Sequence, residues 1–271
     1  MVLSVWGFVL LPWFLVSASD PCPAPPPCTC DDYAIRCDGK NLTKIPSFSP
    51  SPKMYHEVRL SYNNLTAIPA DAFSKVNAIT IEIQHNPSLT NIHQFAFRGL
   101  QHLHELRLDS NNISVLAPGA FSDLQSLTMM SISHNRMTKM RNGTFVNLPK
   151  LEFLFLNNNN LTEIETQTFV NSSNIGFINL AYNSLETLNY SVVCHLGRLT
   201  AINLKENKLI CSCSLSWLER WREVQVMTQA GTHQVYGFCR RQDISFDLDL
   251  LFYEFHCADI EKCHPEAKLV G

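Results

Sequence analysis

Apolar residues alternate with polar residues in seven short segments of the chain, and an asparagine follows each segment. One segment reads LEFLFLNNNNL over residues 151–161. A side-chain period of two residues is typical of a half-buried β-strand, so each segment predicts a short strand with its apolar residues pointing into a core. The second inward residue of each strand recurs every 23 to 25 residues. These residues are Leu60, Ile83, Leu108, Ile132, Leu156, Leu180 and Leu204.

An asparagine lies three positions after each of these residues, where the chain must turn away from its strand. A turn leaves backbone N–H and C=O groups without strand partners, and an amide side chain both donates and accepts hydrogen bonds. The column therefore predicts a buried ladder of asparagines. Pro87 and one extra residue precede Leu89, so we expect a local bulge in the second turn. The ladder residues are Asn63, Asn86, Asn111, Asn135, Asn159, Asn183 and Asn207.

A column of aromatic residues lies on the far side of each turn. Stacked at the repeat distance, these side chains are expected to form a continuous apolar spine on the convex side, with a structural role only. The members are Phe73, Phe97, Phe121, Phe145 and Phe169, with Val193 at the same place in the sixth repeat.

The pattern as a whole resembles the leucine-rich repeat, LxxLxLxxNxL, whose period is about 20 to 29 residues. The resemblance implies an α/β solenoid: a curved horseshoe with a parallel β-sheet on its concave side. Seven repeats fit this pattern over residues 54–209. An open stack of repeats exposes its core at both ends, so a cap is expected at each end.

Length and composition are those of a folded protein with a large core. The chain has 271 residues, of which 45% are hydrophobic. A net charge of -3 gives no basic field that would attract phosphate backbones, so nucleic acid is not expected as a partner. Residues 1–19 contain the apolar run VWGFVLLPWFLV followed by small residues, which predicts a secretory signal peptide. No later segment is long and apolar enough to span a membrane, and residues 264–271 form a short tail.

Ten cysteines lie mostly in two clusters, one at each end of the repeats. After export, thiols meet an oxidising compartment, which favours disulfides over a zinc site, although CxC pairs leave zinc open. CPAPPPCTC and CSCSLSWLERW resemble the caps of Slit, the Nogo receptor and related extracellular leucine-rich-repeat proteins. The resemblance implies caps at residues 20–53 and 210–263, with Trp217 and Leu218 starting a helix in the second. The implied pairs are Cys22 with Cys30, Cys28 with Cys37, Cys211 with Cys239, and Cys213 with Cys257.

Cys194 and Cys263 have no partner in that scheme. They could bridge the last repeats to the tail, or each could be a free or intermolecular thiol.

Seven Asn-X-Ser/Thr patterns predict N-glycosylation of the exported chain. The acceptors are Asn41, Asn64, Asn112, Asn142, Asn160, Asn171 and Asn189.

No catalytic signature is present, and neither a cofactor nor a metal is expected. His85 and His134 share one column of the repeats, but two repeats separate them by about 10 Å, too far to bind one metal ion.

The residues between the inward positions are expected to form the concave surface. The first three repeats place a mixed-charge field there, while repeats four to six place an exposed apolar cluster, the type of surface that often binds a protein. The sequence therefore predicts a non-catalytic, secreted protein that binds an extracellular protein ligand or receptor, or forms a homodimer. An extracellular-matrix scaffold and a soluble form of a cell-surface receptor ectodomain are the alternatives. The candidate binding residues are Arg59, Glu82, Glu105, Arg107, Asp109, Met129, Phe153, Phe155 and Phe177.

Overall fold

A ten-stranded sheet runs the length of the molecule. The computed structural model describes residues 21–218, 221, 234–241 and 244–248. Strands are numbered along the chain, and neighbours in this sheet are parallel except for β1 and β2, which are antiparallel. In spatial order the strands are β1 (Thr29–Cys30), β2 (Ala34–Arg36), β3 (Met54–Arg59), β5 (Asn77–Glu82), β7 (Glu105–Arg107), β9 (Met129–Ser131), β12 (Phe153–Phe155), β15 (Phe177–Asn179), β16 (Ala201–Asn203) and β17 (Gln234–Tyr236).

The remaining elements are short. The far side of the repeats carries three small parallel sheets, and an antiparallel hairpin follows the main sheet. The small sheets consist of β4 (Ala67–Ile68), β6 (Asn91–Ile92) and β8 (Val115–Leu116); of β10 (Lys139–Met140) and β13 (Glu163–Ile164); and of β11 (Phe145–Val146) and β14 (Phe169–Val170). The hairpin is β18 (Phe238–Arg241) and β19 (Ile244–Asp247). Helical elements among the described residues include α1 (Tyr190–Val193) and a 3-10 helix (Cys213–Leu215), and Trp217 and Leu218 are helical as predicted.

The predicted strand register and the solenoid are confirmed. Leu154 and Leu156 are fully buried, whereas Phe153, which precedes Leu154 in β12, is exposed to solvent. One inward residue in each main-sheet strand from β3 to β16 is likewise at most 1% exposed, and full burial of such a side chain stabilises the fold by about 1.5 to 3 kcal/mol. These inward residues are Val58, Ile81, Leu106, Met130, Leu154, Ile178 and Ile202.

The asparagine ladder joins consecutive repeats. Asn159 Nδ2 donates to the carbonyl oxygens of Ile132 and Leu156 at 3.0 and 3.1 Å. Its Oδ1 accepts the N–H of Met137, in the preceding turn, at 3.1 Å. Asn135 and the other regular ladder residues repeat this scheme, so the turns are held by side chains where strand partners are missing.

The second turn departs from the ladder, as its extra residue predicts. Leu89 N–H donates to the carbonyl of Asn86 in its own turn at 3.0 Å. Asn111 Oδ1 accepts a hydrogen bond from Asn86 N–H at 2.7 Å. In the regular turns, the ladder oxygen accepts instead from the N–H two residues after the preceding ladder asparagine.

The phenylalanine spine is present and longer than the repeat pattern predicts. Rings of neighbouring repeats stack with centroids 5.5 to 5.8 Å apart from Phe73 to Phe169. Phe48 of the N-terminal region extends the spine, 5.8 Å from Phe73. Val193, predicted at the same place in the sixth repeat, is buried in α1.

Disulfides lie at both ends of the repeats. The bonds Cys22–Cys30, Cys28–Cys37 and Cys211–Cys239 match three of the implied pairs. Cys194 and Cys213 are also disulfide-bonded. The implied partner of Cys213, Cys257, lies outside the described residues, as do Cys263, the predicted signal peptide and the tail.

The end of the repeats is covered by the C-terminal region. Strand β17 extends the main sheet beside β16, and the Leu204 N–H donates to the Tyr236 carbonyl at 2.6 Å. Trp217 is 3% exposed, and its indole N–H donates to the Leu188 carbonyl at 2.8 Å. The end of the stacked core is therefore shielded from water. In the described part of the chain, no helix is long and apolar enough to cross a membrane.

Candidate functional site

The concave face is built from residues that flank the buried centre of each strand. Parallel pairing aligns equivalent positions of successive repeats, so that Glu105, Met129, Phe153 and Phe177 follow one another across the sheet. Neighbouring strands lie about 4.8 Å apart, within the reach of side chains. The strand register therefore turns residues that are 24 apart in sequence into neighbours on one surface.

The apolar side chains predicted on this face do lie together. We call Met129, Phe153, Phe155 and Phe177 the aromatic cluster. Phe153 pairs with Met129 on one side and with Phe177 on the other, and the rings of Phe155 and Phe177 meet edge to face with centroids 5.6 Å apart. Phe153 is 45% exposed, and the other three are partly exposed. The structure thus leaves a contiguous apolar patch in contact with water.

Neutral polar residues border the aromatic cluster. Ser131 lies beside Phe155 across the strand pair. The hydroxyl of Ser133 donates to Asn157 Oδ1 at 2.8 Å, and Asn179 lies on the opposite side of Phe155. The alternating pattern of the strands places these residues on the outward face, but they are not among the predicted binding residues.

The charged residues predicted on the first three repeats form a connected ion-pair network. Arg59 Nε lies 3.0 Å from Asp38 and 3.7 Å from Glu82. Arg107 lies 3.1 Å from Glu82 and also pairs with Glu105 in its own strand. Glu82 therefore links two arginines across three strands. Asp38 joins the network from the N-terminal region and is not among the predicted binding residues.

Asp109 is held by neutral donors rather than by a cation. Its Oδ1 accepts the N–H of Ser133 at 2.9 Å and the hydroxyl of Ser131, and its Oδ2 accepts from Gln84 Nε2 at 3.0 Å. None of these donors carries a charge, and among the described residues Asp109 forms no ion pair within 4.0 Å, so it lies next to the neutral border of the aromatic cluster without a directly paired cation.

The carboxylates around Arg107 raise its pKa. Partial burial lowers the pKa of Arg107, and its hydrogen bond to Glu105 raises it. The charges of Glu105, Glu82 and Asp109 raise it further, so that the pKa ends above its ordinary value. This arginine is thus surrounded by more negative charge than it neutralises.

At the N-terminal end of the same face, the hydrogen bond from Arg36 lowers the pKa of Asp31 to about 2, and the N–H groups of Ala34 and Tyr33 also lower it. Arg36 Nη2 and Asp31 Oδ2 are 2.7 Å apart. Both side chains are about half exposed, so the pair is an ordinary surface ion pair that is screened by salt.

The predicted glycosylation acceptors all lie outside the strands of the main sheet. Four occupy the rim that follows the strands, directly after the ladder position or its equivalent, and three lie on the far side of the solenoid. The rim acceptors are Asn41, Asn64, Asn112 and Asn160, and the others are Asn142, Asn171 and Asn189. Asn112 and Asn189 are partly buried, and the remaining five are exposed.

Nothing in the described residues resembles a metal site, since no group of three or more His, Cys, Asp or Glu side chains could hold an ion. His85 instead stacks on Tyr62, with ring centroids 4.6 Å apart and planes 9° apart. His134 lies two repeats further along the same column.

Comparison with known proteins agrees with the repeat architecture. The family model described as leucine rich repeat matches four overlapping stretches, residues 56–113, 79–137, 101–161 and 154–209. The chain is also similar to the crystal structure of human 5T4, which is also named Wnt-activated inhibitory factor 1 or trophoblast glycoprotein. That similarity has 21% identity over 73% of this chain and 87% of that chain, with a TM-score of 0.47. Because the family matches extend over residues 56–209, more than half of the sequence, the chain belongs to the leucine-rich repeat family.

Proposed function

We propose that this protein is a secreted, N-glycosylated and non-catalytic binding protein, whose concave face contacts an extracellular protein ligand. The single observation that carries the proposal is the aromatic cluster, because its apolar side chains occupy exposed, outward positions of the strands, where polar residues are the usual choice. Aromatic and methionine side chains are enriched in protein interfaces, where a few anchors dominate the binding energy. The neutral border of serine and asparagine supplies a polar rim around these anchors.

The disulfides and the positions of the predicted glycosylation acceptors support the same proposal. The disulfides at both ends of the repeats are typical of proteins that fold in an oxidising compartment. The seven acceptors leave the strands of the concave face free. A glycoprotein with this distribution would carry its sugars on one rim and on the far side, while the aromatic cluster stays open to a protein ligand.

The direct test is a binding screen of the purified protein against a library of extracellular proteins. The double substitution Phe153→Asp with Phe155→Ser is expected to abolish binding while leaving the melting temperature nearly unchanged, because both rings point away from the core. Val115→Asp is the matched control, since Val115 is an exposed apolar residue of β8 on the far side. A partner that binds the double variant as well as the wild type would contradict the proposal.

A pair of engineered glycans tests the location of the interface without altering the aromatic cluster. Lys150→Asn with Glu152→Thr creates an Asn-Leu-Thr acceptor immediately before Phe153. Arg136→Asn creates an Asn-Met-Thr acceptor on the rim that already holds four natural acceptors. We expect the first glycan to block the partner and the second to leave binding unchanged. Equal effects of the two glycans would place the interface elsewhere.

A further inference from the structure

Carboxylates outnumber arginines around the N-terminal half of the concave face. We call this set of residues the acidic field, and it contains six carboxylates and three guanidinium groups. Its members are Asp31, Asp38, Glu57, Glu82, Glu105 and Asp109, with Arg36, Arg59 and Arg107. Each arginine is already engaged by a carboxylate within 3.1 Å, so the excess negative charge remains on the surface.

Two carboxylates of the acidic field lack a cationic partner. Among the described residues, the Asp109 carboxylate accepts hydrogen bonds from Gln84, Ser131 and Ser133, none of which is charged. Glu57, next to Ala34 and Thr80 across the strand pairs, forms no ion pair within 4.0 Å among the described residues. The charges of Asp31, Glu57 and Asp38 also act together on one arginine, since the hydrogen bond with Asp31 and then the three charges raise the pKa of Arg36.

The acidic field adjoins the aromatic cluster. Asp109 follows β7, which is separated from β12 by β9 alone, and Glu57 lies on β3, four strands from β12. At about 4.8 Å a strand, these two carboxylates lie roughly 10 and 19 Å across the sheet from Phe153 on β12. An extended segment covers these distances in about three to six residues, at about 3.3 Å a residue.

We propose that the acidic field receives a cationic segment of the protein partner, whose apolar side chain contacts the aromatic cluster. This inference rests on the proposed function and adds the chemistry of the partner. The partner segment carries lysine or arginine about three to six residues from an aromatic or aliphatic anchor. Its cations contact Glu57 and Asp109, which form no ion pair within 4.0 Å among the described residues, while the anchor covers the exposed face of Phe153.

The same charge distribution disfavours anionic ligands. A sulfated polysaccharide or a nucleic acid would meet an excess of carboxylates on this face and be repelled. The matrix-scaffold alternative requires a basic concave surface for sulfated glycans, and the acidic field is the opposite of such a surface.

The test uses the full-length purified protein and a phage-displayed library of random linear 16-residue peptides. Enriched peptides are synthesised, and their dissociation constants are measured for the wild type, for Glu57→Gln with Asp109→Asn, and for Phe153→Asp with Phe155→Ser. Asparagine keeps an oxygen that accepts the Ser133 N–H, and melting curves confirm that each variant is folded. Glu57→Gln alone is measured as well, because the Glu57 carboxylate makes no hydrogen bond or ion pair within the described part of the chain.

We expect enriched peptides to combine a basic residue with an aromatic or aliphatic one at the stated spacing. Removal of the two charges should weaken binding about 3- to 10-fold, and binding should weaken as salt rises from about 0.05 to 0.5 M. Peptides without basic residues, or peptides whose affinity ignores both salt and the two charges, would overturn the inference. If only the phenylalanine variant loses binding, the proposed function is supported and the inference of a cationic partner is wrong. If no selected peptide is sensitive to either pair of substitutions, the result contradicts both the proposed function and the cationic partner.

Discussion

Replacement of one ladder asparagine should destabilise the protein by a predictable amount. Asn159 is 8% exposed and makes three short hydrogen bonds to the backbone. In Asn159→Ala, the carbonyl oxygen of Ile132 keeps the bond from Asn135, and that of Leu156 keeps the bond from Asn183. Only the Met137 N–H loses its side-chain acceptor. A single buried group left unpaired costs about 1 to 3 kcal/mol, which is the expected loss in the free energy of unfolding.

Thermal unfolding followed by circular dichroism measures this loss. In a domain of this size, each kcal/mol lowers the melting temperature by about 2 to 4 °C. The control is Asn160→Gln, which removes an exposed glycosylation acceptor at the neighbouring position and leaves the ladder intact. Both variants are compared with the wild type after enzymatic removal of glycans, so that the amide alone is tested.

Two results would refute the reasoning. Equal losses for Asn159→Ala and Asn160→Gln would mean that the ladder bonds contribute no more than an exposed amide. A loss well above about 3 kcal/mol would mean that the two carbonyl oxygens also become unpaired, and that the neighbouring asparagines do not compensate as the geometry predicts.

Three further predictions concern single positions. Gly237→Ala should lower stability by about 1 to 3 kcal/mol in urea unfolding, because a Cβ there would lie 2.9 Å from the carbonyl carbon of Leu204 and the glycine has a φ of +145°; unchanged unfolding would refute the close approach. Cys211→Ser should cost about 2 to 5 kcal/mol by opening a native disulfide, and a variant that melts with the wild type would contradict this. Asp31 should titrate by NMR with a pKa of about 2 and return towards 3.8 in Arg36→Gln. Since the folded-state pKa is the lower one, the stabilisation by this pair is present above pH about 4 and is lost as the pH falls towards 2; a midpoint unaffected by Arg36→Gln would exclude the pair.

Much of the fold was predictable because the repeat averages local signals over seven copies. The period of two in LEFLFL placed Leu154 inside and Phe153 outside, and parallel pairing then fixed the neighbours of Phe153. Phe48 was missed because it lies before residue 54, where the predicted repeats begin, although it precedes Phe73 by 25 residues. The repeated pattern thus predicts what each copy shares and misses what the ends add.

The ion pairs of the concave face could not be predicted in the same way. The arginines and carboxylates were identified from the strand register, but which oxygen faces which nitrogen depends on side-chain conformations across strands about 24 residues apart. The sequence therefore suggested a mixed-charge field, whereas the structure has a network in which Glu82 joins Arg59 and Arg107, and Asp109 is left to neutral donors.

The role of the four consecutive asparagines was also only partly predictable. Asn159 was recognised as a ladder residue and Asn160 as a glycosylation acceptor. The structure adds that Asn158, the residue before a ladder asparagine, has a φ of 55°. His85 and His134 hold the same position in other repeats and also have a φ of 55°. Asparagine is among the residues that tolerate this left-handed conformation best, so Asn158 suits its position for a reason that periodicity alone does not express.

The direction of the ladder bonds has a consequence for how the molecule is built. Asn159 Oδ1 accepts from the turn of the preceding repeat, and Asn135 does the same one repeat earlier. In a regular turn, the N–H two residues after the ladder asparagine is therefore bound by the asparagine of the following repeat rather than by its own. During synthesis, the newest turn has an unpaired N–H until the next 24 or so residues have emerged. A chain shortened from its C-terminal side would end on such an open donor, whereas one shortened from its N-terminal side would leave only a spare acceptor.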